Sequence, residues 1–229
     1  MDHPLTYRII RTKRRKKTLS LHIEHDGSIV IRALSHLLTA AVGKFFNEKK
    51  PWIDKKLRQI AVERGDHKPK EFVSGEDFYY LGGRHKLQIS AKTDHQRPFF
   101  FTDDTFCLDE RCQEKAKDLF VTWYKEQAEI TIRERLHVYR EQMQLSPKRE
   151  RITSAKHQWG GCSSRNTLSF SWRLMMAPLS VIDYIVVHEL AHIKEKNHSP
   201  RFWKIVETTL PDYRHRRNWL KRHGYLLNL

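Results

Sequence analysis

The spacing of apolar residues changes along the chain, and the first third reads as a hairpin followed by a helix. Apolar residues alternate with polar ones on both sides of a turn at residues 25–28: Leu19, Leu21, Ile23 and then Ile29, Val30, Ile31. Such alternation around a turn predicts a β-hairpin. A helical spacing follows over residues 35–63, interrupted by Pro51, and residues 65–69 break it.

The middle of the chain alternates between strand-like and helical patterns. Residues 72–106 are rich in tyrosine and phenylalanine and contain glycine turns, which predicts strands. Residues 110–143 carry apolar side chains at helical spacing. Two short strands are then predicted at residues 151–156 and 167–173, on either side of a turn at Gly160-Gly161.

The last third is dominated by helices. Residues 181–193 are apolar at nearly every second position, which is typical of a helix buried on most sides. Two further helices are predicted at residues 200–209 and 212–223. The pattern as a whole predicts an α+β protein with a β-rich N-terminal part with one helix, residues 1–108, and a helix-dominated part, residues 109–229.

The buried helix contains polar residues in a pattern with a known chemical use. His188 and His192 are four residues apart, about 6 Å along the axis and about 40° around it, so both imidazoles can reach one ion. Glu189 lies about 100° further round, where it can take a proton from water without being a ligand. Hydrogen-bonded core histidines are the alternative, but a metal ion satisfies these buried polar groups directly. The HExxH spacing predicts two zinc ligands and one general base.

A third ligand is predicted at His198. In an unbroken helix His198 would lie about 9 Å beyond His192 along the axis, too far to share an ion. A break at residues 194–197 would fold it back, and Ser199-Pro200 reads as the start of a new helix. The segment Ser180–Asp183 reads as a capping box for the metal helix, which assigns Asp183 to the cap.

The chain resembles the YgjP-like predicted metal-dependent hydrolases, which are zincin-type proteins related to the SprT metallopeptidases. The resemblance is carried by Ala177-Pro178 through Trp203, by Trp159 to Ser164, by Ser171 to Leu174, and by shorter matches at Pro51 to Ile53 and Tyr79 to Gly82. It implies a zincin-like fold in which His188, His192 and His198 bind zinc and Glu189 is the catalytic carboxylate. Two departures stand out: Gly161 replaces a common serine, and Glu195 replaces the glycine that metzincins use.

The composition limits the cellular location that we expect for the protein. No run approaches the 18 apolar residues of a membrane span, and the N-terminus lacks the apolar stretch of a signal peptide. Three cysteines are too few for a disulfide framework, so a reducing cytoplasm is expected. Cys162 is a spare ligand, a reactive thiol or a small packed residue, and packing is favoured.

Charge adds a second signal. The net charge is +16, with basic clusters at residues 11–17 and 214–222. These are either solvated faces or a surface for a polyanion: nucleic acid, nucleotide phosphates or an anionic membrane. Because no base-reading motif is visible, nucleic-acid contact would be mainly to phosphate.

Three functions follow from these observations. The leading hypothesis is a zinc (Zn2+) metallopeptidase that acts on a protein or peptide substrate held by an edge strand, with the strand ending at Arg173 as the candidate. Candidates for substrate or oxyanion contact are Arg173, Tyr213 and His215. The resemblance also implies a nucleoside triphosphate (UTP) pyrophosphatase as an alternative. The third hypothesis is a nucleic-acid-associated protease, or a basic nucleic-acid-binding protein whose metal is structural.

Overall fold

The computed structural model describes residues 6–12, 19–23, 28–65, 70–91, 97–156 and 158–229. The predicted turn at residues 25–28 and the basic cluster at 11–17 fall largely outside these ranges. The chain forms two compact units, Met1–Lys68 and Pro69–Leu229. The functional division into residues 1–108 and 109–229 stays a prediction.

The first unit is a small sheet with one long helix. Its elements are β1 (Tyr7–Thr12), β2 (Leu19–Ile23), β3 (Ile29–Leu34) and α1 (Thr39–Gly65). Strand β3 is central, antiparallel to β2 and parallel to β1. The antiparallel pairing of β2 with β3 confirms the predicted hairpin. Alternate residues of β3 are fully buried and form the core with the apolar face of α1.

Helix α1 runs through Pro51, where the sequence predicted an interruption. A proline removes the N–H that would bond the carbonyl four residues earlier, here that of Asn47. Both Pro51 and Asn47 are exposed, so water can satisfy that carbonyl. The neighbouring Ile53 is fully buried and holds this turn against the sheet.

The second unit begins with an aromatic sheet-and-helix layer. Its strands are β4 (Asp77–Tyr80), β5 (Gly83–Ser90), β6 (Phe99–Thr102) and β7 (Thr105–Asp109), in the spatial order β4-β5-β7-β6. A 3₁₀ helix at Glu110–Lys115 leads into α2 (Ala116–Met143). Phe78 and Phe120 stack at 4.2 Å between ring centres, and Phe106 packs against both. Buried aromatic rings therefore join the sheet to α2.

A second, three-stranded sheet lies closer to the predicted site. Its strands are β8 (Arg149–Thr153), β9 (Gly160–Cys162) and β10 (Thr167–Ser171), in the order β8-β10-β9. Two predictions were wrong here. Gly160-Gly161 is not a turn but part of β9, and β10, the strand that ends just before Arg173, is central rather than an edge.

The C-terminal helices are α3 (Leu179–Lys194), α4 (Pro200–Thr209) and α5 (Tyr213–His223), and α3 packs against α2, β9, α4 and α5. Helix α3 begins directly after Pro178 without a side-chain cap, so the predicted capping box is wrong. Asp183 instead accepts from Arg135 at 2.6 Å and pairs with Arg216 at 3.8 Å.

The architecture is a mixed α+β one, as predicted. No helix within the described ranges is both long and apolar enough to cross a bilayer.

Candidate metal centre

Helix α3 supplies most of the candidate centre because it is buried on nearly every side. Between Val181 and Ala191 every residue except His188 is buried. The apolar side chains fix the helix among its neighbours, and this packing also fixes three polar groups of its last two turns, of which one is buried and two are partly exposed. Those groups are His188, Glu189 and His192.

The three histidines converge. The ring centres of His188, His192 and His198 lie 4.8 to 4.9 Å from one another, and Nε2 of His188 is 2.9 Å from Nε2 of His198. Helix α3 ends at Lys194, and α4 begins at Pro200 with Ser199 as its side-chain N-cap. The connection between the two helices therefore folds His198 back over the last turn of α3.

The donor set fits a metal ion. One ring nitrogen from each histidine can be chosen so that all three lie within 4.8 Å of one another. Around a tetrahedral zinc ion, imidazole nitrogens at about 2.05 Å from the metal lie ~3.3 Å apart, so only small side-chain rotations are needed. Nδ1 of His192 is 2.9 Å from the carbonyl of Glu195, and such an outer partner fixes the tautomer that leaves Nε2 free for a ligand bond.

The electrostatics keep two of these imidazoles neutral. Burial, followed by the charges of His192, His198 and Arg217, lowers the pKa of His188 to about 3. Burial also lowers the pKa of His192. A neutral imidazole has a lone pair available to a cation at every pH near neutrality.

Glu189 is a buried carboxylic group beside these histidines. Its exposed fraction is 5%, and burial raises its pKa to about 8. No residue in the described part of the chain hydrogen-bonds its side chain or pairs with it. A carboxyl group in this position exchanges a proton near neutral pH, which is the property required of a general base.

Gly160 on β9 makes room for Glu189, and sequence reasoning overlooked this role. A Cβ added at Gly160 would lie 2.7 Å from both Cγ and Oε1 of Glu189. Only glycine allows the strand to approach the carboxyl group this closely. A glycine within a strand is the signal that could have indicated a close backbone approach.

Comparison with known proteins identifies the family. The family model described as "YgjP-like, metallopeptidase domain" matches residues 17–223. The chain belongs to the YgjP-like metallopeptidase family. This membership supports a metal-dependent hydrolase that acts on peptide substrates, and a metal ion is implied. Nothing in the comparisons favours a nucleotide or a nucleic acid as a partner.

Among solved structures, the chain is similar to the metallopeptidase zymogen of Pyrococcus abyssi abylysin. The two share 23% sequence identity with a TM-score of 0.36, and the match covers 39% of this chain and 93% of that one. No curated protein sequence matches the chain.

An aromatic wall lines one side of the histidine cluster in this YgjP-like protein. The ring of Phe202, which is fully buried, lies 4.5 to 4.8 Å from all three histidine rings. Trp203 is near-parallel to His198, with ring centres 5.6 Å apart, and Tyr213 stacks on the same indole at 5.4 Å. These rings restrict the orientation of the imidazoles through packing.

The other sequence candidates lie in different surroundings. Arg173 is buried, stacks on Trp172 and donates to the carbonyl of Ser154 at 2.9 Å, so internal backbone groups already use its guanidinium. Tyr213 is buried in the aromatic wall, and its hydroxyl accepts from Arg214. His215 is exposed on α5. The structure therefore brings Tyr213 to the histidine cluster through Trp203 and engages Arg173 elsewhere.

Cys162 lies outside the histidine cluster, at the end of β9. Its Sγ is 3.4 Å from Nζ of Lys196, which also donates to the carbonyl of Ser163 and to Oδ1 of Asn166 at 2.6 Å. Lys196 belongs to the connection that carries His198. This ammonium group therefore ties that connection to the turn between β9 and β10. The three cysteines are free thiols.

Proposed function

We propose that this YgjP-like protein is a zinc-dependent peptidase with a zincin-like centre. His188, His192 and His198 would hold the ion, and Glu189 would be the general base. The observation that carries the proposal is a buried carboxyl group without a partner in the described chain, one residue from a cluster of three imidazoles. Three nitrogen ligands leave a fourth tetrahedral position for water or substrate, which favours zinc.

The ion, when bound, would lower the pKa of a water molecule towards about 7 and polarise the scissile carbonyl. Glu189 would accept a proton from that water during attack and return it to the leaving amine. No hydrogen bond or ion pair with another described residue competes for this carboxyl group, so it would be free to hold the proton between the two steps. The backbone of β9 holds this carboxyl group in place from the side of Gly160.

A peptide substrate would lie along β9. This strand pairs with β10 on one side and is at the edge of its sheet, and it packs against α3. An extended peptide can add to such an edge through backbone hydrogen bonds. Edge pairing would therefore set a substrate carbonyl beside the histidine cluster.

Metal analysis and parallel substrate assays test the proposal. We expect the purified protein to bind one zinc ion and to cleave casein, and a chelator to abolish cleavage until zinc is restored. The variant Glu189→Gln should keep the metal and lose at least about 100-fold in kcat, since general-base catalysis contributes about 10² to 10⁴. The variant His188→Ala should lose both.

Nucleoside triphosphates incubated with the same samples separate the substrate classes. Suppose that the wild-type protein hydrolyses triphosphates but cleaves no peptide, and that Glu189→Gln loses the triphosphate hydrolysis. The protein would then be a nucleotide hydrolase and not a peptidase. Full peptidase activity in Glu189→Gln would rule out the proposed mechanism.

A further inference from the structure

Three of the four arginines of helix α5 lie in its first two turns, and their surroundings differ. Arg214 pairs with Glu207 and donates to the hydroxyl of Tyr213. Arg216 pairs with Asp212 and Asp183. Arg217 is partly buried, yet no residue within the described ranges accepts a hydrogen bond from it or forms an ion pair with it.

Arg217 lies against the candidate centre. Its guanidinium carbon is 4.7 Å from the ring centre of Trp203, and that ring is centred 5.6 Å from the ring of His198. The guanidinium is therefore no more than about 10 Å from the centre of His198. Its charge also acts on Tyr184, where it opposes the larger rise in the pKa of the hydroxyl that burial causes.

A guanidinium that stacks on an indole and has no acidic partner among the described residues is well placed to bind an anion. Stacking on an indole fixes the plane of the group while its N–H edges stay available. Those edges match a carboxylate, which they bind through two parallel charge-assisted hydrogen bonds. A cation that is already partly removed from water loses less hydration when such a partner arrives.

Peptides supply carboxylates from two sources, the side chains of aspartate and glutamate and the C-terminus. An extended peptide advances about 3.3 Å per residue. A distance of about 10 Å therefore corresponds to about three residues.

We propose that Arg217 is a specificity-determining residue that binds a substrate carboxylate within about three residues of the scissile bond. The inference rests on the proposed peptidase function and deepens it by naming the substrate class: peptides with an acidic group close to the cleavage site. Trp203 would act as a positioning residue, because it holds the guanidinium beside the histidine cluster.

Peptide kinetics test the assignment. A set of peptides with one scissile bond would carry glutamate or glutamine at each of three positions on either side, and a second set would end in a carboxylate or an amide at the same distances. We expect the wild-type protein to prefer the carboxylate at one position by about tenfold or more in kcat/KM, mainly through KM, since hydrogen bonds to charged groups are strong. The two sets distinguish the side-chain source from the C-terminal one.

Three variants accompany the peptides. Arg217→Met keeps most of the packing and removes the charge, and it should abolish the preference, so that the carboxylate and neutral peptides are cleaved with kcat/KM values within about twofold of each other. Arg217→Lys keeps the charge and should retain part of the preference. Arg222→Met, an exposed arginine on the same helix, removes an equal charge and should leave the preference intact. Circular dichroism would verify that each variant is folded.

A binding measurement separates this inference from the peptidase proposal. In the metal-loaded Glu189→Gln background, calorimetry should show tighter binding of the carboxylate peptide, and the added Arg217→Met substitution should remove the difference. Selective binding without cleavage by the wild-type protein would refute the peptidase and leave the role of Arg217 standing. Equal or undetectable binding of all peptides, or a preference that survives Arg217→Met, would overturn the role of Arg217.

Discussion

Two carboxyl groups are buried on helix α3, Asp183 near its start and Glu189 in its last two turns. Their exposed fractions are similar, 8% and 5%. Asp183 is held by Arg135 and Arg216, whereas Glu189 has no such partner among the described residues. The pKa of Glu189 is raised to about 8 by burial alone.

The contrast shows that burial alone does not assign a role to a charged residue. A buried carboxylate with two arginines is satisfied as an anion and contributes to the packing of α2, α3 and α5. A buried carboxyl group without a cation can gain or lose a proton at little cost near neutral pH. The second condition is the one that catalysis requires.

The largest effect is expected where the surroundings of Glu189 are changed without touching Glu189. In Gly160→Ala the new methyl group would meet the side chain of Glu189 at 2.7 Å and displace it. A displacement of about 1 Å can cost about 100-fold in rate. We expect a loss of that size in kcat with unchanged metal content, measured on a peptide substrate.

The neighbouring Gly161→Ala is the matched control. A Cβ there would meet Nε2 of Gln158, the end of an exposed and flexible side chain, and Oγ of Ser169 at 3.2 Å. We expect a much smaller loss of activity. Equal losses in the two variants would show that the strand, rather than the position of Glu189, is what matters.

The next largest effect is a difference in thermodynamic stability between variants of the two carboxyl groups. Asp183→Asn leaves Arg135 and Arg216 without their anion and should lower the free energy of unfolding by about 3 kcal/mol. In the metal-free protein, Glu189→Gln should instead raise the free energy of unfolding, because it removes a buried carboxyl group that the folded chain keeps from ionising. Denaturant unfolding of chelator-treated samples measures both changes.

The effect of Glu189 on the stability of the folded protein depends on pH in a defined direction. Its folded pKa of about 8 lies above the ordinary value of 4.5. Between these values the unfolded chain has released a proton that the folded chain still holds, so the stability of the wild-type protein falls as pH rises from 4.5 to 8. The advantage of Glu189→Gln should therefore grow over this range and be absent below it. A difference that does not vary with pH would contradict the shifted pKa.

The smallest effect is expected at Lys196, which lies outside α3 and whose ammonium group donates hydrogen bonds to neutral acceptors only. Lys196→Met would release the connection that carries His198 from Ser163 and Asn166. Loss of an outer partner of a metal site weakens affinity by about 10- to 100-fold, and we expect the lower end. Competition with a chelating dye measures it, with the exposed Lys194→Met as control. Unaltered affinity in Lys196→Met would mean that the connection holds its shape without this tie.

Local patterns were sufficient for the elements that depend on near neighbours in sequence. The apolar periodicity of α3 and the Ser199-Pro200 start of α4 are both local signals, and the structure confirms both. The convergence of His198 with α3 followed from the need for a break between two such helices. The HExxH spacing predicted which side chains would be neighbours before any tertiary structure was known.

Partners distant in sequence could not be predicted in this way. Asp183 was assigned to a helix cap, but its partners are Arg135 and Arg216, far along the chain on other helices. Strand β9 contains two glycines, whose propensity argues against a strand, and it forms because β10 offers a pairing edge. The same limitation concealed Arg217, which appeared only as one member of a basic cluster.

The residues of the candidate metal centre come from two segments, and the structure holds one of them more firmly than the other. His188, Glu189 and His192 share one helix, so backbone hydrogen bonds set their mutual spacing, and only unwinding of that buried helix can separate them. His198 comes from a short exposed connection held at a few points. Under mild heat or denaturant, detachment of this segment would precede the global transition, and inactivation would then be gradual and reversible well below the melting temperature.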